Sequence, residues 1–336
     1  MADMDAYAGL PPVPLVEAGR EGALALYRAN PQAAHAQIDD AIARFGRRAL
    51  AHADRRSQRW LQRAGNPLLP EIEAVAREVG RPGAWLLNLS YEWGCTTAVA
   101  ADPAGGMRML RTLDWPFHGI GRSLMAARHE GPAGRWLNLT WPGFAGVLTA
   151  LCPGRFAVAF NQTPMRARRM GPLGLPMLLD WALNRYAWSR SKALPPAHLL
   201  RLVCDEAEDY AEARRRIVET PLCASCLVAV VGVEPGEGCA VERLEYDAHV
   251  REAPVAVANH WLSEDRGGRP RTRDSAARHA TMEREMRAAE GLSWVRPPIL
   301  NDFTRLAAEL NPVTGEALAQ AFEAEGAVTR RTPLAA

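Results

Sequence analysis

Apolar residues recur at helical intervals along the first fifth of the chain and then gather into runs that read as strands. From Gly22 to Arg63, the residues Leu24, Leu26, Tyr27, Ile38, Ile42, Phe45, Leu50, Trp60 and Leu61 lie roughly whole turns apart, which predicts helix. Pro31 interrupts that stretch, because proline lacks an amide hydrogen and crowds the preceding turn, and Pro67 and Pro70 end it. Glu71 to Val79 forms a second helical piece, with Ile72, Val75, Ala76 and Val79 on one side and Gly80 as its stop. After Pro82-Gly83 the pattern changes, and Trp85 to Leu89 reads as a buried strand or apolar turn. Thr96 to Ala101 and Met107 to Leu113, joined by Asp102-Pro103-Ala104-Gly105-Gly106, have the pattern of a hairpin. Gly146 to Leu151 and Arg155 to Asn161, joined at Cys152-Pro153-Gly154, form another. Leu178 to Trp188, Ala197 to Glu206 and Ala211 to Glu219 read as helices. Ala224 to Val233, Ala240 to Tyr246 and Pro254 to Ala258 return to strands. Ser275 to Ala289 and Phe303 to Ala324 read as mainly helical.

Hairpins, then helices, then strands again imply an α+β layered fold with antiparallel sheets, and the absence of strict βαβ alternation disfavours a doubly wound nucleotide-binding domain. The 336 residues suffice for one large domain or two ordinary ones. A net charge of +2 argues against the basic face that nucleic-acid binding needs, so no nucleic-acid partner is expected. No apolar run is long enough to span a membrane. The first twenty residues lack the basic start and apolar core of a secretory signal, and six cysteines in a chain this long do not form a disulfide scaffold. A reducing, cytoplasmic location is therefore the expectation. The oligomeric state is not legible.

Chemistry concentrates around Cys95. A glycine precedes it, a strand follows it, and the partner strand ends in Arg111-Thr112-Leu113-Asp114-Trp115. A thiol acts in acyl transfer only when a neighbouring group takes its proton. None of the eight histidines falls in a Cys/His signature. A backbone amine offers another route: if the chain is cut just before Cys95, the freed α-amino group has an ordinary pKa of about 7.7–8.0, near the thiol's 8.5, so proton exchange between them is nearly balanced. Asp114 could hold that amine and Arg111 could stabilise the thiolate. By itself, a free cysteine is more often a small core residue.

The segments Asn88-Leu89-Ser90-Tyr91-Glu92, Cys95-Thr96-Thr97-Ala98-Val99-Ala100-Ala101-Asp102 and Arg111-Thr112-Leu113-Asp114-Trp115 resemble the acid ceramidase and N-acylethanolamine acid amidase branch of the choloylglycine hydrolase superfamily. The Cys-Thr-Thr start and the Asp-Trp pair are also similar to acyl-CoA:6-aminopenicillanate acyltransferases. Gly146-Val147-Leu148-Thr149, Pro153-Gly154-Arg155-Phe156, Thr220-Pro221-Leu222 and Ala258-Asn259-His260-Trp261 extend the resemblance, which runs from about Leu69 to Ala289. It implies a four-layer αββα N-terminal-nucleophile (Ntn) hydrolase sandwich, with residues 1–94 as a helical pro-segment or small subunit packed on a catalytic core of residues 95–336. It also implies roles: Cys95 as nucleophile and, through its amine, base; Arg111 and Asp114 flanking it; Asn259 as oxyanion donor; and Arg278 closing the site. Asn161 is a separate candidate for substrate binding, with an oxyanion role as the alternative. Without the resemblance, Asn259 reads as a turn residue and Arg278 as an exposed helical arginine. Tyr91 and Glu92 match the segment just ahead of the cut. Gln162 stands where the lysosomal amidases carry an acidic residue used in processing, and glutamine can be neither acid nor base.

The expected activity is hydrolysis of linear N-acyl amides through a cysteine thioester, with a small-molecule substrate and neither cofactor nor metal. The alternatives are transfer of an acyl group to an amine, or a non-catalytic acyl- or lipid-binding protein of the same fold. Trp115, Phe117 and Trp141, with Trp136 and Phe144 nearby, could be core or could form the apolar wall that an acyl group needs. Cys223 and Cys226 have redox or metal spacing but no second pair to complete a zinc site, so core packing is the better reading. The short runs Arg166-Ala167-Arg168-Arg169 and Arg214-Arg215-Arg216 read as solvated faces.

Overall fold

Asn30 and Pro31 start a helix as well as ending one. The Asn30 side chain accepts the Ala33 amide at 3.0 Å, while Pro31 occupies the first turn, where its missing N–H has no partner to lose. The computed structural model describes residues 7–88, 94–103, 105–167, 177–272 and 274–336. In chain order these form β1 (Leu15–Gly19), α1 (Ala23–Ala29), α2 (Pro31–Phe45), α3 (Arg47–Ala64), α4 (Leu69–Val79), α5 (Ala84–Leu87), β2 (Gly94–Ala101), β3 (Met107–Asp114), β4 (Met125–Gly131) and β5 (Gly134–Thr140). There follow β6 (Thr149–Cys152), β7 (Phe156–Gln162), α6 (Met177–Trp188), α7 (Pro196–Glu206), α8 (Tyr210–Glu219), β8 (Cys226–Gly232), β9 (Gly238–Arg243), β10 (Ala248–Glu252) and β11 (Val255–Val257). The remainder is α9 (Ser275–Glu285), β12 (Thr304–Asn311), β13 (Glu316–Glu323), β14 (Gly326–Ala327) and β15 (Thr332–Ala335).

Several elements depart from the sequence-based expectation, each for an identifiable reason. The long first helix breaks a second time at Gly46, whose φ of 84° suits glycine and few other residues. Pro70 lies in the first turn of α4, so it opens that helix instead of closing the one before. Trp85 to Leu87, expected as strand or turn, belongs to the short helix α5, because a brief apolar run has no period by which to tell the two apart. Leu89 lies outside the described residues.

The largest correction concerns Phe303 to Ala324, read as helix. It holds β12 and β13, paired antiparallel from Leu306↔Ala321 to Asn311↔Glu316. Alanine-rich composition favours helix, but both faces of β12 are buried, so no polar alternation marks it as a strand. Strands β1, β4, β5, β10, β14 and β15 are likewise absent from the sequence-based expectation.

Two sheets result. One has the order β1-β4-β5-β6-β7-β8-β9-β10, and the other β11-β2-β3-β12-β13-β14, with β15 beside β13. Pairing is antiparallel except where β1 lies parallel to β4. The sheets meet face to face, β2 and β3 lying against β7 and β8. Helices α7 and α8 cover the outside of the first sheet and α9 the outside of the second. This is an α+β, four-layer αββα sandwich, the arrangement of an Ntn hydrolase.

The N-terminal helices are bound to this sandwich by buried polar contacts. Glu71 of α4 meets Arg201 of α7 at 3.3 Å, Arg201 meets Asp205 at 2.8 Å, and the Trp136 indole donates to Asp205 at 2.9 Å. Asn66 donates to His198 Nδ1 at 3.0 Å, and the Trp60 indole donates to the Ser191 carbonyl at 2.9 Å. Because Arg201 is almost fully buried, Arg201→Ala strands two carboxylates and is expected to cost about 3–5 kcal/mol in a denaturant titration.

Burial lowers the pKa of His198 from the ordinary 6.5 to about 4. Between those values the unfolded chain binds a proton that the folded chain refuses. Stability is therefore full above about pH 6.5 and falls by about 3 kcal/mol as the pH drops to 4. Denaturation midpoints at pH 7 and pH 4.5 should draw closer when His198 is replaced by Gln, and the gap that remains includes buried His129, whose pKa burial also lowers.

Candidate active site

Period two along the β2–β3 hairpin divides its side chains between two environments. Cys95, Val99, Met109 and Leu113 belong to the core between the sheets, and Ala98, Ala100 and Leu110 to the layer beneath α9. The register pairs Gly94 with Asp114, Cys95 with Leu113 and Thr97 with Arg111. Arg111 therefore shares the face of the Cys95 sulfur, while Asp114 lies on the α9 side.

The sulfur is fully buried and donates to the Phe160 carbonyl at 3.5 Å. Arg111 Nη2 donates to the same oxygen at 2.7 Å. The rest of the Arg111 guanidinium is met by Thr97 Oγ1 at 2.9 Å, Asn161 Oδ1 at 2.5 Å and Thr149 Oγ1 at 3.3 Å. All of these acceptors are neutral. Burial pushes the Cys95 thiol above its ordinary value, the Arg111 charge opposes this, Asp114 adds to it, and Arg278 opposes it more weakly.

The Cys95 backbone nitrogen donates to Asn259 Oδ1 at 2.8 Å, and Asn259 Nδ2 donates to the Gln162 carbonyl at 2.8 Å. Arg278, expected as an exposed helical residue if it had no role, is buried instead. Its Nη1 reaches the Cys95 carbonyl at 2.6 Å and Thr96 Oγ1 at 2.7 Å, and its Nη2 reaches Asn259 Oδ1 at 2.9 Å and Thr272 Oγ1 at 2.8 Å. Asp114 lies 3.5 Å from Arg278 and accepts from Thr304 Oγ1 at 2.9 Å and Asn301 Nδ2 at 3.1 Å. A Cβ on Gly94 would come within 2.8 Å of the Thr272 side chain and 3.2 Å of that of Asp114, so any larger residue ahead of the cysteine would have to push these side chains aside.

Cys95, Arg111, Asp114, Asn259 and Arg278 thus converge. Asn161 joins them as a brace: its oxygen accepts from Arg111 and Thr97, and its nitrogen donates to the Val257 and Ala258 carbonyls at 3.3 and 3.2 Å. Trp115, Phe117 and Trp141 lie apart from the sulfur, in the wall of an apolar cavity of about 410 Å³. Leu50 and Trp60 of α3 and Trp181 and Trp188 of α6 complete much of that wall, and Cys95 does not line it. Trp115 and Trp141 meet edge to face at 5.6 Å. The cavity approaches the site at Trp115, immediately after Asp114.

Tyr91 and Glu92 lie outside the described residues. Cys223 and Cys226 are both buried, in keeping with core packing. Arg214, Arg215 and Arg216 pair with Glu252, Glu219 and Glu206, as a solvated face would. The supporting hydroxyls and amides of Thr97, Thr149, Thr272, Asn301 and Thr304 escaped the sequence reading. Alternation along β2 would have placed Thr97 beside Cys95; the others come from distant segments and carry no local signal.

No family model matches the chain. It is 31% identical over 162 residues to the N-acylethanolamine-hydrolyzing acid amidase of Oryctolagus cuniculus, covering 47% of this chain and 42% of that protein. It is 29% identical over 109 residues to the acid ceramidase of Heterocephalus glaber, covering 32% of this chain and 25% of that one. The chain is a homologue of these Ntn hydrolases. It spans less than half the length of each of these two curated relatives. A Caenorhabditis elegans orthologue of the acid amidase aligns in structure with 18% identity and a TM-score of 0.49, over 65% of this chain and 93% of that one.

Replacing Arg111 by Met removes the cation beside the sulfur and takes a donor from four buried oxygens. The expected results are a stability loss of about 2–4 kcal/mol and roughly tenfold slower alkylation of Cys95 at a fixed pH, read by mass spectrometry of the Cys95 peptide. An unchanged alkylation rate would show that the guanidinium does not influence the thiol.

Proposed function

We propose that this chain hydrolyses linear N-acyl amides through a thioester on Cys95, after cleavage of its own Gly94–Cys95 bond. The observation that carries the reading is the joint placement of the two Cys95 atoms the chemistry needs. The nitrogen is held by Asn259, and the sulfur shares a carbonyl with a buried guanidinium that meets only neutral acceptors. The homologous acid amidases are named for hydrolysing N-acylethanolamines, which supports amides of that kind as substrates.

Before cleavage, the Cys95 nitrogen is an amide that can only donate. Attack of the sulfur on the Gly94 carbonyl shifts the acyl bond from nitrogen to sulfur, and water releases the Gly94 carboxylate. The nitrogen is then a primary amine with a lone pair beside the thiol. It takes the thiol proton as the sulfur adds to the substrate carbonyl carbon, and it returns that proton to the departing amine. Water, deprotonated by the same amine, then releases the acid. One N–H of the Asn259 amide is held by Gln162, which leaves the other for the oxyanion. Arg278 orients Asn259 and the Cys95 backbone together, and Asp114 balances its charge.

The cavity lined by Trp115, Phe117 and Trp141 receives the acyl part in this reading. Its wall draws on α3 and α6 alike, so residues 1–94 remain bound as a small subunit after the cut and supply half of the acyl site.

Intact mass is expected to show two fragments meeting at Gly94/Cys95, and a single uncut species for Cys95→Ala. Turnover of an N-acylethanolamine should vanish in Cys95→Ala and drop about 10²–10³-fold in Asn259→Ala with the chain still cleaved. Undiminished turnover in Cys95→Ala refutes the mechanism.

A further inference from the structure

Asn259 occupies the turn between β11 and α9, and its orientation depends on groups outside the catalytic set. Its backbone N–H donates to Ser275 Oγ at 2.8 Å, at the first position of α9. The same oxygen lies 2.8 Å from Nδ1 of His260, the residue that follows Asn259. From the other side, Glu242 of β9 accepts from the Leu262 and Ser263 amides at 2.7 and 3.1 Å and fixes the rest of the turn. Moving Asn259 would therefore require the Ser275–His260 contact to give way.

A serine hydroxyl has one hydrogen to donate. When Ser275 Oγ accepts from Asn259, its hydrogen is available for a partner, and unprotonated Nδ1 of His260 is that partner. A protonated imidazole would reverse that hydrogen bond and donate to the same oxygen, which makes the oxygen a weaker acceptor for the Asn259 amide. It would also add a positive charge where Arg278 and His279 of α9 already converge, His279 lying edge-on at 5.1 Å. Glu242 of β9 and Glu283 of α9 are the acidic groups that face it, and Glu283 lies 3.7 Å from His279.

Resting on the active-site reading above, we propose that His260 is a positioning residue that holds Asn259 against the Cys95 nitrogen through Ser275, and does so only as a neutral imidazole. His260 never touches substrate; it orders the turn that carries the oxyanion donor. Burial, followed by His279 and Arg278, lowers its pKa below the ordinary 6.5, so the arrangement persists at neutral pH and is lost as the pH falls through that lowered value.

The test is the pH dependence of kcat for an N-acylethanolamine in wild type, His260→Asn, His260→Phe and Ser275→Ala. The Cys95 amine imposes one acid limb on every variant, and in wild type protonation of His260 adds a further step of about tenfold, so log kcat falls more steeply than a slope of one across the pH interval in which His260 titrates. In His260→Asn, whose carbonyl can accept the Ser275 hydrogen at any pH, kcat at pH 7 should drop only about threefold and the slope should stay at one. His260→Phe and Ser275→Ala should each lose about tenfold in kcat with little change in KM. A slope in His260→Asn that matches wild type overturns the proposal. A readout free of turnover is the NMR shift of the Asn259 backbone amide, expected to titrate in wild type and in Cys95→Ala but not in His260→Asn. If Cys95→Ala keeps its turnover, the catalytic reading fails, and the amide titration still decides whether His260 governs Asn259.

Discussion

A guanidinium taken out of water needs acceptors for all of its hydrogens, and Arg111 finds them without a carboxylate within ion-pair distance among the described residues. Such a cation is costly to bury, since neutral oxygens return only part of its lost hydration. It persists because β2, β6 and β7 each supply an oxygen, which only the stacking of two sheets can bring together. The charge left uncompensated lies beside the Cys95 sulfur. In the proposed chemistry, negative charge on the thiolate would meet a cation already in place, with no reorganisation needed. The resting thiol remains protonated because burial outweighs this attraction.

Arg278 solves the same problem on the opposite side of the hairpin by different means. It has Asp114 as a counter-charge, and it spends its hydrogens on the Cys95 carbonyl, Thr96, Asn259 and Thr272. The two arginines clamp one residue from above and below, Arg111 acting on the sulfur side and Arg278 on the backbone. Both are needed to hold a strand-end cysteine in a single orientation, because a strand terminus otherwise frays. The contacts of the N-terminal helices serve a separate purpose. Glu71, Asn66 and Trp60 tie them to α7 and the segment before it, and through α3 they give the apolar cavity one of its walls.

Local pattern sufficed for much of the architecture. The β2–β3 and β6–β7 hairpins, α4 and the helices α6 to α9 follow from periodicity and from turn residues close in sequence, and the juxtaposition of Cys95 with Arg111 and Asp114 follows from one hairpin register. Where local preference and long-range packing disagreed, packing prevailed. The alanine-rich stretch that holds β12 and β13 would favour a helix in isolation, yet it completes a sheet whose two faces are both covered. Period two also assigns Arg111 and Asp114 to opposite faces, a division visible only once the hairpin is paired.

By itself the sequence determined the candidate nucleophile, its glycine neighbour and the charged pair on the adjoining strand, because each is set by covalent spacing and strand alternation within twenty residues. Tertiary structure alone decided what surrounds them. The Asn259 contact to the Cys95 nitrogen, the burial of Arg278, the oxygens around Arg111 and the cavity shared by α3 and α6 join segments far apart in the chain. Such contacts arise from sheets and helices packing to exclude water, and that geometry is not encoded in any short stretch of residues.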